Sequence, residues 1–317
     1  MTDDQLIETP DAAPNSDRRE FFRSAIGATA AAVVGVGAVT AASRAFADTT
    51  TDVDVLNFAL TLKYLQAQFY SFAAFGTGLT AAQISGTGTA GAATGARMVA
   101  FTDPLVAQYA AEIAGDKVAH VNWLRGELGA GAVAQPAIDL GTAATGAFSV
   151  FMGAAGVVTS GSSFDPYAND TNFLLAAFLL EDVGVTALKG AASSITDKGH
   201  IEAGAGMLGT DAYHAAMIRT TLYVKGAANP TLRTQADSIS SIRDRLDGPA
   251  VDDQGISPTT VNGNLLSNIV PAAADGTVFG RIPGGVLNIF YENSASVTKG
   301  GFFPNGINGT ITASTQN

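Results

Sequence analysis

The chain has 317 residues, 47% hydrophobic and only 14% charged, with no cysteine and a net charge of −11. That composition excludes a generally disordered chain, which needs low hydrophobicity and high charge. It also excludes disulfides, thiol nucleophiles and cysteine-bound zinc or iron–sulfur centres. The acidic balance argues against nucleic acid as a partner, because phosphate binding needs clustered Lys and Arg.

Residues 1–47 read as an export address. Asp17-Arg18-Arg19-Glu20-Phe21-Phe22-Arg23 carries the paired arginines and Phe of a twin-arginine signal. An Ala/Val/Gly stretch over 25–42 follows, then Ala45-Phe46-Ala47, a small-x-small cleavage site. About 18 apolar residues can also anchor in a bilayer. The Ala- and Gly-rich composition and the cleavage motif favour removal, which places the mature chain in the periplasm or outside the cell without a stable membrane span.

Four stretches read as long helices. The first covers 52–75, capped by Asp52 or Asp54 and closed by Gly76 and Gly78. The second covers 97–128, with a break near Asp103-Pro104 and a stop at Gly129. The third covers 169–192 and the fourth 199–225, the latter ended by Gly226 and Pro230. An amphipathic piece over 232–246 comes next. About 40 residues rich in Gly, Ala, Ser and Thr lie between the second and third helices; loops that long cross over or serve function. Beyond Gly248 no helical period shows, and apolar runs such as Val286-Leu287-Asn288-Ile289-Phe290-Tyr291 suggest short strands in an ordered extension. The organisation expected is therefore a bundle over 48–230 and an extension over 231–317 packed on it.

Each helix should bury an apolar stripe spaced by threes and fours. In the third helix the stripe Leu174, Phe178, Glu181, Val185, Leu188 has a carboxylate at its centre. In the fourth, Met207, Asp211, His214, Ile218, Leu222 places an acid and an imidazole three apart on one face. In the second, Val106, Ile113, Lys117, His120, Leu124 carries a cation and an imidazole. The first helix offers two seams, one through Leu56, Leu60, Lys63, Ala67 and Tyr70, the other through Val55, Phe58, Leu62, Leu65, Phe69 and Phe72. Its polar candidates are Lys63, Gln66, Gln68 and Tyr70. A buried carboxylate is costly unless it is paired, protonated or bound to metal. A lone acid or histidine in a core is more often a satisfied core group than a ligand; Glu181 has Tyr70 and Tyr213 as candidate hydrogen-bond partners. Asp116, four before His120, reads as part of a solvated face or as a substitute ligand. His200 reads as a loop or helix start, and Trp123 as packing filler. No nucleophile elbow, phosphate loop or dinucleotide fingerprint occurs.

Di-iron and di-manganese bundles take a Glu from each of two helices and a Glu-x-x-His from each of the other two. The words around the polar residues here resemble those of one such group. They are Asn57-Phe58-Ala59-Leu60, Tyr64-Leu65 and Phe69-Tyr70; His120-Val121 with Leu124-Arg125; Phe178-x-x-Glu181-Asp182-Val183-Gly184-Val185; Ala212-Tyr213-His214-Ala215 with Ile218-Arg219; and the tail Gly300-Gly301-Phe302-Phe303-Pro304-Asn305-Gly306-Ile307-Asn308-Gly309. Together they are similar to the exported ferritin-like family that includes the desiccation-related proteins. The resemblance implies an all-α fold, a ferritin-like four-helix bundle with a long middle crossover and an irregular C-terminal extension.

The departures from the family pattern bear on function. Where that family tends to read Leu-Glu-Tyr-Leu-Glu-Ala-Glu-Phe-Tyr, this chain reads Leu62-Lys63-Tyr64-Leu65-Gln66-Ala67-Gln68-Phe69-Tyr70. The Glu expected three before His120 is Lys117, and that three before His214 is Asp211. Only His120, Glu181 and His214 match outright. An ammonium cannot ligate a metal and repels one, and the formal charges of Lys63, Lys117, Glu181 and Asp211 sum to zero. The expectation is a degenerate site with lysine counter-ions in place of metal, no cofactor, and a protective or structural role. The alternative is an iron or manganese site built from His120, Glu181, Asp211 and His214, with oxidase, catalase-like or metal-sequestering function. A further alternative is a self-assembling homo-oligomeric surface subunit.

Overall fold

The structure, a computed structural model, describes residues 51–250 and 252–317; the export signal read over 1–47 lies outside the described residues. Helix α1 spans Asp52–Phe75. Its cap is Thr51, one residue earlier than expected. The Thr51 hydroxyl accepts from the Asp54 amide, and the Asp54 carboxylate accepts from the Thr51 amide at 2.9 Å, a reciprocal pair that satisfies two end groups. Gly76, at φ 71°, closes the helix in the left-handed conformation open to glycine.

After the short helix α2 (Ala81–Ile84) and strand β1 (Ala93–Thr94), helix α3 spans Pro104–Leu128. The expected start at 97 is corrected. Proline disfavours helical backbone in the residue before it, so Asp103 stays extended and caps the helix by accepting from the Leu105 amide. The middle crossover is not a plain loop. It contains β2 (Ile138–Asp139), which pairs in parallel with β1, and helix α4 (Ala147–Ala154). Helix α5 spans Asp170–Ala191 and α6 spans Lys198–Ala228, capped by Asn169 and Asp197. Helix α7 (Thr231–Asp247) follows, then a β3–β4 hairpin (Thr259–Val261, Asn264–Leu266) whose turn residues Asn262 and Gly263 both have positive φ, as a two-residue primed turn requires. Helix α8 is Pro283–Tyr291. The strand expectation for this run is therefore wrong. All nine residues are buried, so no polar face betrays the period, and Pro283 pre-sets the first turn.

Helices α1 and α3 form one tightly packed pair and α5 and α6 the other; α1 also meets α5, and α3 meets α6. Both candidate seams of α1 are inside, since every residue from Val55 to Ser71 is buried. Its outer side is covered by the crossover. Asn57 clasps that segment, donating to Gly131 O at 3.1 Å and accepting from the Val133 amide at 2.9 Å. Tyr64 donates to Val133 O, and Gln68 donates to Gln135 at 2.6 Å.

Helices α7 and α8 pack on α5, and α7 also on α6. Three arginines pin the chain that follows α7. Arg219 donates to the backbone carbonyls of Gln254, Gly255, Asn268 and Ile269 and to Asp182. Arg243 bridges Asp182 and Asp253, and Arg281 bridges Asp247 and Asp253. Trp123, expected as packing filler, is 37% exposed. His200 sits in the first turn of α6, with Nδ1 3.1 Å from Asp52 and Nε2 3.2 Å from Glu127.

Candidate functional site

All four bundle helices send a polar residue into one buried cluster. Lys63, Gln66 and Tyr70 come from α1, Lys117 and His120 from α3, Glu181 from α5, and Asp211 and His214 from α6. The three-residue spacings Lys117-x-x-His120 and Asp211-x-x-His214 put each pair on one helical face. The side chains of Lys117, Glu181 and Asp211 are fully buried, and those of Lys63 and His214 nearly so.

Lys117 is the hub. Its Nζ donates to Glu181 Oε2 at 2.8 Å and to Asp211 Oδ1 at 2.7 Å. Lys63 Nζ donates to the other Asp211 oxygen and to Gln66 Oε1 at 3.2 Å. Gln66 is anchored in turn by donating to Leu180 O at 3.1 Å. Gly184 makes room for this contact, because a Cβ there would lie 2.5 Å from Gln66 Nε2 and 3.2 Å from Asp211 Oδ2.

Burial opposes both ammoniums. For Lys117 the charges of Asp211 and Glu181 outweigh it, and the group is held above the usual lysine value. Lys63 has one carboxylate beside it and the Lys117 charge nearby, so burial prevails and brings it down to about 8. For Asp211 burial is outweighed by Lys117 and Lys63, and its carboxyl is held well below the usual range. Burial, then the Lys63 charge, lowers His120 to about 3, so its imidazole is neutral. Burial, then the Glu181 charge, keeps the Tyr70 phenol far above its ordinary value.

The imidazoles are directed into the cluster but not engaged by it. His120 Nδ1 lies 3.7 Å from Asp211 Oδ1, and His214 Nδ1 lies 3.5 Å from Glu181 Oε2. Neither ring nitrogen has a hydrogen-bond partner, nor do Glu181 Oε1 and Tyr70 Oη. Asp116 is on the other nitrogen of His214, 2.9 Å from Nε2, where it orients the ring. Its side chain is 44% exposed, as the solvated-face reading expected, and it meets His214 rather than joining the buried carboxylates. Tyr213 is 78% exposed and does not serve Glu181. A cleft of about 10 Å³ beside Lys63, Gln66 and Gly184 is otherwise lined by apolar side chains of α1 and α5.

The ferritin-like domain profile matches residues 51–224. The chain belongs to the ferritin-like domain family. The ferritin-like catalase Nec2 of Nesocodon mauritianus is 29% identical over 272 residues, covering 82% of this chain and 84% of that one. The desiccation-related protein PCC13-62 of Craterostigma plantagineum is 28% identical over 240 residues, covering 73% and 75%. No solved structure gives a significant match.

Members of this family with a di-metal centre hold it with about four carboxylates and two imidazoles. Glu181, Asp211 and His214 of this chain still bring ligand atoms within 4.8 Å of one another. The full donor set nevertheless does not fit two divalent ions. Two ammoniums stand among the carboxylates, and the cluster is already neutral. A dication about 4 Å from the Lys117 ammonium would be repelled by about 8 kcal/mol at an effective dielectric of 20. A single ion would share both carboxylates with the Lys117 ammonium, which bonds one oxygen of each.

Sequence reasoning did not anticipate the Asp182–Arg219–Arg243–Asp253–Arg281 network. Its signal was there: Asp182 is a second acid on an apolar helix, and a buried acid needs a buried cation.

Proposed function

We propose that this chain is an exported ferritin-like protein, of the periplasm or the cell exterior, in which lysine ammoniums replace a di-metal centre. Its role is non-catalytic, stress-protective or structural. The supporting observation is the Lys117 ammonium, which bonds both remaining carboxylates, Glu181 at 2.8 Å and Asp211 at 2.7 Å. The cluster ties α1, α3, α5 and α6 together through neutral-sum ion pairs, so the helix arrangement survives without an ion. The name of the desiccation-related relative supports the protective reading.

A second reading has specific support. The unpartnered His120 Nδ1, His214 Nδ1 and Glu181 Oε1, with the relative named as a catalase, favour one iron or manganese held by His120, Glu181, Asp211 and His214. It requires Lys117 to lose its proton or turn away. Calorimetric titration with Mn(II), and with Fe(II) under anaerobic conditions, separates the two, alongside an assay of hydrogen peroxide consumption. The metal-free reading expects no saturable binding and no turnover. Tight binding of one ion with peroxide turnover, both lost in His120→Ala, establishes the second.

A further inference from the structure

The extension contains the steps Asn262-Gly263, Asn305-Gly306 and Asn308-Gly309. At such a step the glycine has no side chain to crowd its backbone nitrogen, which lies one ring closure away from the Asn side-chain carbonyl. The fold treats the three steps differently. Asn308 is held at both side-chain atoms. Its Oδ1 accepts from the Thr89 amide at 2.9 Å, and its Nδ2 donates to Thr89 O and Ala134 O at 2.9 Å each. Gly306 is buried, and its amide, the group that would attack Asn305, donates to Phe303 O at 2.9 Å. Thr298 packs directly on this backbone, since a Cβ on Gly306 would lie 2.5 Å from Thr298 O.

Asn262 and Gly263 have no such restraint. Both are exposed at the tip of the β3–β4 hairpin, and the Gly263 amide donates to no backbone carbonyl among the described residues. Ring closure needs the turn to open, and opening costs little here. Each strand is three residues long and fully exposed, and a two-stranded hairpin in water is only marginally stable. The base stays fixed while the tip opens, because Arg219 holds the carbonyls of Gly255, Asn268 and Ile269.

We propose that Asn262 is a site of spontaneous deamidation in the folded protein. The Gly263 nitrogen gives its proton to solvent base and bonds to Asn262 Cγ. The bond from Cγ to the side-chain nitrogen breaks, and that nitrogen leaves as ammonia. Water then opens the cyclic imide at either carbonyl, giving aspartate or isoaspartate. Water is the only co-reactant. Each event adds one negative charge to the hairpin tip. Isoaspartate also adds a carbon to the backbone of a two-residue turn, which breaks the Val261↔Asn264 register. The reaction is independent of the lysine cluster and of whether that cluster holds metal.

The test incubates the folded full chain at pH 8 in water enriched in heavy oxygen and maps the peptides by mass spectrometry. A sample unfolded in guanidinium is the reference. Heavy oxygen should enter at Asn262 at least ~10-fold faster than at Asn305 or Asn308, the factor given by about 1.4 kcal/mol of extra cost for local opening. The unfolded chain should react at all three steps at similar rates, and isoaspartate should be among the products at position 262. Asn262 intact in the folded protein after its unfolded counterpart has reacted overturns the proposal. So does a folded-state rate at Asn305 or Asn308 within that factor of the rate at Asn262, or aspartate as the sole product at position 262.

Discussion

Replacing Lys117 by Met keeps most of the side chain's volume and removes the ammonium that bonds Glu181 and Asp211. The formal sum over Lys63, Glu181 and Asp211 becomes −1 in a fully buried cluster. Breaking a buried pair in this way costs about 3–5 kcal/mol. An independent estimate agrees. At pH 7, discharging the excess by protonating a carboxylate means moving it by about three pH units, or ~4 kcal/mol. At pH 5 the same step costs about 1 kcal/mol. For a domain of this size the loss at pH 7 lowers the melting temperature by roughly 10 °C. Differential scanning calorimetry of both proteins at pH 7 and pH 5 measures it, and Glu181→Gln added to the variant should recover part of the loss. An unchanged melting temperature at pH 7, or the same deficit at both pH values, would refute the counter-ion role.

Three other changes test separate parts of the structure. Lys63→Glu with Lys117→Glu brings the cluster to four carboxylates and two imidazoles; it should melt low without metal and gain stability with Mn(II), while the parent protein gains none. Gly184→Ala should cost about 1–3 kcal/mol in chemical denaturation by forcing Gln66 off Leu180 and Lys63. Burial, then Asp139, pushes Glu292 up to about 9 from an ordinary 4.5, so the folded state holds a proton that the unfolded state releases above pH 4.5. Stability should therefore fall as pH rises from 4.5 to 9. Glu292→Gln should remove that fall, with a gain over the parent protein that grows by up to about 1.4 kcal/mol per pH unit and vanishes near pH 4.

The chain itself announces the bundle because its helix ends are chemically marked. Gly76 and Gly129 stop α1 and α3, and the polar residues at Lys117, His120, Glu181, Asp211 and His214 interrupt otherwise apolar stripes. Periodicity fails where an element is buried all round. It left the inward face of α1 open and hid α8 as a strand-like run, since neither helix shows water a polar side along its middle. It also placed the start of α3 too early, where Pro104 overrides the pattern. The arginine network is long-range: Asp182, Arg219, Arg243 and Arg281 are spread over three helices and the extension, and only their burial reveals that they meet.

Elemental analysis of the folded protein, purified without chelator, bears most directly on the replacement of metal by lysine. Iron and manganese well below one per chain, in a protein that still melts cooperatively, is the predicted result. Near-stoichiometric iron or manganese, lost together with the cooperative melt in His120→Ala with His214→Ala, would contradict it.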